Sequence, residues 1–131
     1  MANIANITVK KNDGTTDIVY TALVPSAGDT VAALWRADSV SAIPAHRPTI
    51  KMLTQNNSKR NARVERISYA FPVFQTVGGV ETKIGVIPME LNATIGTNFD
   101  TAVVNEAVSQ FGNLMVSALI RQSMKDGYAP T

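Results

Sequence analysis

The chain has no cysteine, one histidine and one tryptophan in 131 residues. Without cysteine there can be no disulfide, no thiolate metal site and no cysteine nucleophile. A lone histidine cannot build a multi-histidine metal site. His46 lies in the turn-like run Ala45-His46-Arg47-Pro48, which suits a surface residue better than a catalytic base. No apolar run approaches the ~20 residues of a membrane span. The opening Met1-Ala2-Asn3-Ile4 lacks the basic and apolar regions of a signal peptide. The expectation is a cytoplasmic chain used at full length, with no membrane partner. A glycine-rich phosphate loop is missing, as is any recognisable motif of paired carboxylates. Gly78-Gly79 is too short to cradle a phosphate and reads as a hinge. An enzyme would have little to work with, so catalysis, a cofactor and a bound metal are all unexpected.

Charge is scarce too, at 17% of residues, while 45% are apolar. A single domain over residues 1–131 can therefore hold a real core. So few charges cover a monomer thinly. Either apolar surface is buried between subunits, which makes the protein an oligomer, or the domain wears a neutral coat of Asn, Thr and Ser. What charge there is lies in one place. Between Arg47 and Arg66 stand Arg47, Lys51, Lys59, Arg60, Arg63 and Arg66 against Glu65 alone, a local +5 in a chain of net charge +2. A basic platform of this kind attracts a polyanion, because lysine and arginine displace the counterions of phosphate.

Along the chain, residues 1–24 read as a hairpin. Ile4 to Lys11 is β-prone, Asn12-Asp13-Gly14 has the composition of a tight primed turn, and Asp17 to Val24 returns. Pro25 to Asp29 is a loop. Val31 to Val40 reads as a strand, with Trp35 as a packing residue. The basic segment forms two strands, 48–55 and 61–69, around the polar turn Asn56-Asn57-Ser58-Lys59-Arg60. The second continues through Phe71 and Phe74, with Pro72 marking a bulge or an edge. Gln75-Thr76-Val77-Gly78-Gly79-Val80-Glu81-Thr82 reads as a flexible connection. Lys83 to Gly96 is the last strand, with Ile87, Met89, Leu91, Ala93 and Ile95 on one face. At Thr97-Asn98-Phe99-Asp100 the period changes to a helical one. Gly112-Asn113 is expected to divide two helices within 97–126, the second closing at Asp126-Gly127. Strands first and helices afterwards make an α+β chain: an N-terminal hairpin, a meander sheet over 31–96 and two C-terminal helices. Two short helices are too few to cover a sheet face. If they belong over a partner's sheet, an interlocked dimer solves the problem and leaves the other face open to a ligand.

Alternation sorts that open face. Ile50 and Met52 look inward, which leaves Thr49, Lys51 and Gln55 outward. Val64 is read as inward, which sets Asn61 and Arg63 outward, and Glu90, Asn92 and Thr94 are outward in the last strand. Such side chains bond both phosphates and the edges of unpaired bases. A solvated face with no ligand would have the same composition, and the local +5 is what favours anion binding. A one-residue slip of register would reverse the assignment.

Two segments carry a resemblance. Arg47-Pro48-Thr49-Ile50-Lys51 through Lys59-Arg60-Asn61-Ala62-Arg63-Val64 resembles the RNA-facing strand pair in coat proteins of small single-stranded RNA bacteriophages, the levivirus group. Met89 to Ile95 followed by Thr97-Asn98-Phe99-Asp100 resembles that family's last strand and first helix entry, and Gly127-Tyr128-Ala129-Pro130 resembles a family ending. The order of elements agrees over nearly the whole chain. The chain departs from the family's pattern at Leu53 and at Ile87-Pro88. The resemblance implies interlocked homodimers that assemble into a quasi-equivalent icosahedral shell around genomic RNA, in a virion made in the bacterial cytoplasm. It implies an inner face that binds RNA, including an operator hairpin whose capture represses translation. It implies Thr49, Lys51, Gln55, Asn57, Lys59, Asn61, Arg63 and Glu90 as RNA-binding residues, and Gln75, Thr76, Val77, Gly78, Gly79, Val80, Glu81 and Thr82 as the loop lining the symmetry axes. A dimeric RNA-binding protein that forms no shell is the competing expectation.

Overall fold

Extended, β-branched segments separated by Gly, Asn and Pro fill the first three quarters of the chain, and the structure, a computed structural model describing residues 2–131, pairs them in order. The strands are β1 (Ile7–Lys10), β2 (Asp17–Val24), β3 (Ala33–Arg36), β4 (Thr49–Asn56), β5 (Ala62–Val77) and β6 (Val80–Gly96). They form one six-stranded sheet of order β1-β2-β3-β4-β5-β6, and the pairs from β1 to β5 are antiparallel. The strand expected over 31–40 is confined to β3, and a single turn of 3-10 helix, Pro44–His46, precedes β4. Two helices follow, α1 (Thr101–Met115) and α2 (Ala118–Asp126). By their internal contacts the residues form two compact units, Met1–Thr94 and Ile95–Thr131.

Local chemistry explains the boundaries. In the first hairpin only Gly14 has positive φ, 74°, so the connection is not the primed turn expected from Asn12-Asp13-Gly14. It is a longer loop, closed by Lys11 N–H donating to Thr16 C=O at 2.8 Å. The Asp13 carboxylate accepts from the amides of Thr15 and Thr16 and from the Thr16 hydroxyl. These bonds, the Thr16 hydroxyl first, pull its pKa down to about 2. Between β5 and β6 the eight-residue flexible connection is absent. Both strands run on to a two-residue turn in which Gly78 and Gly79 have φ of 58° and 80°. Two successive positive φ angles are what a type I′ turn requires, and only glycine adopts them without cost.

In the C-terminal unit, Asp100 caps α1 by accepting from the Ala102 amide at 3.1 Å. α1 runs through Gly112-Asn113, and the break comes at Val116-Ser117. A glycine inside a helix costs about 1 kcal/mol relative to alanine, too little to stop a helix whose neighbours favour it. Gly127, left-handed at φ 74°, closes α2.

Little of the chain is sealed from water. Among the described residues the buried apolar side chains are those of Tyr20, Ala33, Ala37 and Ala62, with Pro48 the largest fully buried residue. His46, expected at the surface, is only 5% exposed. It stacks on Phe74, the ring centroids 5.1 Å apart. Trp35 is half-buried, its indole N–H donating to the Ala5 carbonyl at 2.8 Å.

Candidate nucleic-acid interface

The β4–β5 register decides which side chains share a face. Thr49 stands opposite Ala70, Lys51 opposite Ser68, Leu53 opposite Arg66 and Gln55 opposite Val64. On the other side of β4, Arg36 pairs with Thr49 and Leu34 with Lys51. Directly paired residues project to the same side of a sheet. One face therefore carries Thr49, Lys51 and Gln55 together with Ser68 and Arg66. A concavity of about 190 Å³ opens there, lined by Thr49, Lys51, Ser68, Tyr69 and Ala70 and by Pro88, Met89 and Glu90 of β6. Lys51 is exposed and forms no ion pair among the described residues. Arg66 is exposed as well, its Nε donating to Asn92 Oδ1 at 3.1 Å and so bridging β5 to β6. The structure thus brings Thr49, Lys51 and Glu90 to one spot, with Gln55 farther along the same face.

Arg63 is not on that face. It pairs with Asn56 and so shares the opposite side with Thr54, Met52 and Ile50. Its guanidinium forms a two-pronged bridge to Asp29, at 2.9 and 2.7 Å, and donates to Asn56 Oδ1 at 3.1 Å. The Asp29 carboxyl is held below its ordinary pKa by Arg63, which is held above its own in return. The outward assignment rested on Val64 being a core residue. Val64 instead lies opposite Gln55 on the polar face, near the end of the ladder where burial is weak.

Asn57 and Asn61 brace the turn. Asn57 Oδ1 accepts from the amides of Asn61 and Ala62, and Asn57 Nδ2 donates to Asn61 Oδ1 at 2.7 Å. This clamp holds Arg60 at φ 55°, where a non-glycine residue is strained. Lys59 projects from the same turn, exposed. Arg47 is internal to the fold. Its guanidinium donates to the carbonyls of Ser41 and Ala42 and to Asp38 at 3.1 Å. The six basic residues therefore divide. Arg47 and Arg63 are neutralised within the fold, Lys59 and Arg60 sit on the turn, and Lys51 and Arg66 arm the polar face. Sequence parity missed Arg66, because the face of Val64 was taken for the inner one.

The opposite face is apolar. It carries Tyr20, Ala22, Trp35, Ile50, Met52, Ile67 and Tyr69 by register, with Ile7 and Val9 from β1. Tyr20 and Tyr69 share a hydroxyl–hydroxyl hydrogen bond of 2.9 Å. Burial, and then this bond, push the Tyr20 phenol above its ordinary pKa. Yet Val9 is 42% exposed and Phe71 39%. In the C-terminal unit the apolar side chains are more open still, with Phe99 and Val103 at 62% and Leu119 at 61%.

No protein-family model matches this chain, and no curated protein matches its sequence. Solved structures do. The chain superposes on a subunit from a virus-like particle of Beihai levi-like virus 21 with a TM-score of 0.82, at 19% identity, covering 99% of both chains. A virus-like particle of bacteriophage NT-214 gives 0.81 at 14% identity, covering 99% of this chain and 100% of that one. The capsid protein of bacteriophage GA gives 0.72 at 19% identity, covering 95% of each. The likeness is one of fold: an antiparallel six-stranded sheet followed by two C-terminal helices, as in RNA phage coat proteins. No helix of the described residues is long and apolar enough to cross a membrane.

Proposed function

We propose that this chain is the coat subunit of a small single-stranded RNA bacteriophage. Two copies join through the apolar sheet face and the exposed apolar side chains of the helices. The dimers build an icosahedral shell, and RNA lies on the polar face. The observation that carries this reading is the contrast between the two sides of one sheet, in a fold shared with phage capsid proteins. An apolar face on which Trp35, Ile50, Met52, Ile67 and Tyr69 are only half-buried needs a cover, since the hydrophobic gain is about 25 cal/mol per Å² removed from water. Obligate dimer interfaces resemble a domain core cut in half, and the small buried core of the single chain fits that pattern.

On the polar side, Lys51 and Arg66 supply charge for phosphate, and Thr49, Ser68, Gln55 and Asn92 supply hydrogen bonds for sugars and base edges. Glu90, beside Lys51, can accept from an amino group of an unpaired base and makes the concavity more selective than a bare cation. An operator hairpin would present such unpaired bases, so repression of translation belongs to this same face. The β5–β6 hairpin, residues 75–82, is the contact between dimers.

The test is to express the chain in bacteria and size the purified product while recording absorbance at 260 and 280 nm, with electron microscopy of the peak. Closed shells containing nucleic acid are the expected result. Free dimers that bind RNA and never close would overturn the shell, and a stable monomer would overturn the dimer as well.

A further inference from the structure

The β5–β6 hairpin stands almost free. From Gln75 to Glu90 every residue is exposed except Glu81. Among the described residues, Glu81 is also the one side chain of that stretch that bonds to a residue outside it. Its Oε2 accepts from the Ser41 hydroxyl and meets His46 Nδ1 at 2.9 Å. Ser41 is itself buried, and its oxygen accepts from the Ile43 amide at 3.1 Å. His46 is clamped between this carboxylate and the ring of Phe74. Two segments distant in sequence, residues 41–46 and the hairpin, thus meet at one carboxylate oxygen.

We propose that Ser41, His46 and Glu81 form an acid-releasable latch that fixes the angle at which the β5–β6 hairpin leaves the sheet. With the latch closed, the hairpin base is tied to the 3-10 turn. With it open, nothing but the strand ladder directs residues 76–82, and the apolar tip at Val77 and Val80, 64% and 65% exposed, swings with it. Its effect on assembly rests on the capsid reading above; the latch itself does not.

None of the other charged groups nearby bonds to Glu81 among the described residues. Arg47, next to His46, is turned to Asp38 and to backbone carbonyls, and Asp38 is held by Arg36 as well. β5 contributes the uncharged Phe74. Lys83, farther along β6, is exposed and forms no ion pair among the described residues. The Ser41 hydrogen bond, and then His46, hold the Glu81 carboxyl below its ordinary pKa. A depressed carboxyl contributes fully above its unfolded value, and the contribution is lost as pH falls through the folded one. The latch therefore holds at neutral pH and opens in acid.

The experiment is amide hydrogen exchange of residues 76–82, taken relative to the β4–β5 ladder, from neutral pH into the acid range. It is run on wild type, Glu81→Ala and Glu81→Gln. Expected are an acid-induced rise in wild type, exchange roughly tenfold or more faster at neutral pH in Glu81→Ala with the difference from wild type closing in acid, and no acid step in Glu81→Gln, which keeps an acceptor that cannot titrate. Protection of β4–β5 verifies that each variant is folded. Should Glu81→Ala fail to fold, the comparison of wild type with Glu81→Gln decides alone. A wild-type hairpin with no acid step, or an acid step that persists in Glu81→Gln, overturns the latch. Absence of shells in micrographs of wild type at neutral pH would overturn the capsid reading and leave the exchange result standing.

Discussion

The two faces of the β4–β5 ladder are built from alternate residues of the same strands, yet they differ in almost every physical respect. Thr49, Lys51 and Gln55 alternate with Ile50, Met52 and Thr54, and Ser68 and Arg66 alternate with Ile67 and Tyr69. The first set is small, polar and cationic, and bonds little within the chain. The second is apolar and aromatic, and its polar atoms are matched internally, as in the Tyr20–Tyr69 bond and the Arg63–Asp29 bridge. A face whose polar atoms are matched internally is suited to being covered. A face whose donors and cations are left open is suited to a ligand rich in acceptors. Basic residues alone do not mark the second kind, because Arg63 lies on the first.

Charge placement gives the sharpest way to break this contrast. Ile67→Asp would put a carboxylate into the covered face. It should weaken the dimer by roughly 4 kcal/mol or more, about a thousandfold in Kd, read by analytical ultracentrifugation. Leu53→Asp, on the opposite face, should leave the dimer intact and lower RNA content. If both substitutions dissociate the dimer equally, the assignment of faces is wrong. A smaller effect separates the cations. Lys51→Ala and Arg66→Ala should each flatten the salt dependence of RNA binding by about 0.7 in the log–log slope. Arg63→Ala should not change that slope, and should barely change stability because the Asp29 bridge is exposed. A slope that responds to Arg63 and not to Arg66 would restore the parity read from sequence.

Tyr20→Phe tests the internal bonding of the apolar face. Loss of the hydroxyl pair should lower stability by about 1 kcal/mol in a denaturant titration. The smallest effect belongs to the first hairpin. The Asp13 carboxyl, titrated by NMR, should show a midpoint near 2. Its support of the turn is complete above the ordinary aspartate range and disappears as pH falls through that value. Asp13→Asn should leave the hairpin insensitive to pH in that window.

The order of elements was legible because period-two alternation, Gly- and Asn-rich turns and the Asp100 cap are all local signals. The missed features have non-local causes. Arg63 and Arg66 exchange faces according to which side of β5 is taken as inner, and β5 has apolar residues on both, with Val64 on one and Ile67 on the other. His46 is buried by Phe74 and Glu81, about thirty residues away, so no neighbouring residue announces it. Gly112-Asn113 resembles a stop, but hydrogen bonding carries α1 past it. Gly78-Gly79 did carry the sequence signature of a tight primed turn between Val77 and Val80, and reading it as a hinge overlooked that. Of the residues expected to face RNA, Thr49, Lys51 and Glu90 gather at one concavity, while Asn57 and Asn61 are engaged in shaping the turn.

The scant interior of a lone chain, Tyr20 and a few alanines, would make concentration a folding variable in the proposed dimer. If a second copy shields most apolar side chains, as proposed above, dilution acts as a denaturant, and the thermal midpoint climbs as protein is added. Newly made subunits would then gain persistence only once synthesis outruns their separation, so that maturity of the fold and abundance of the product arrive together.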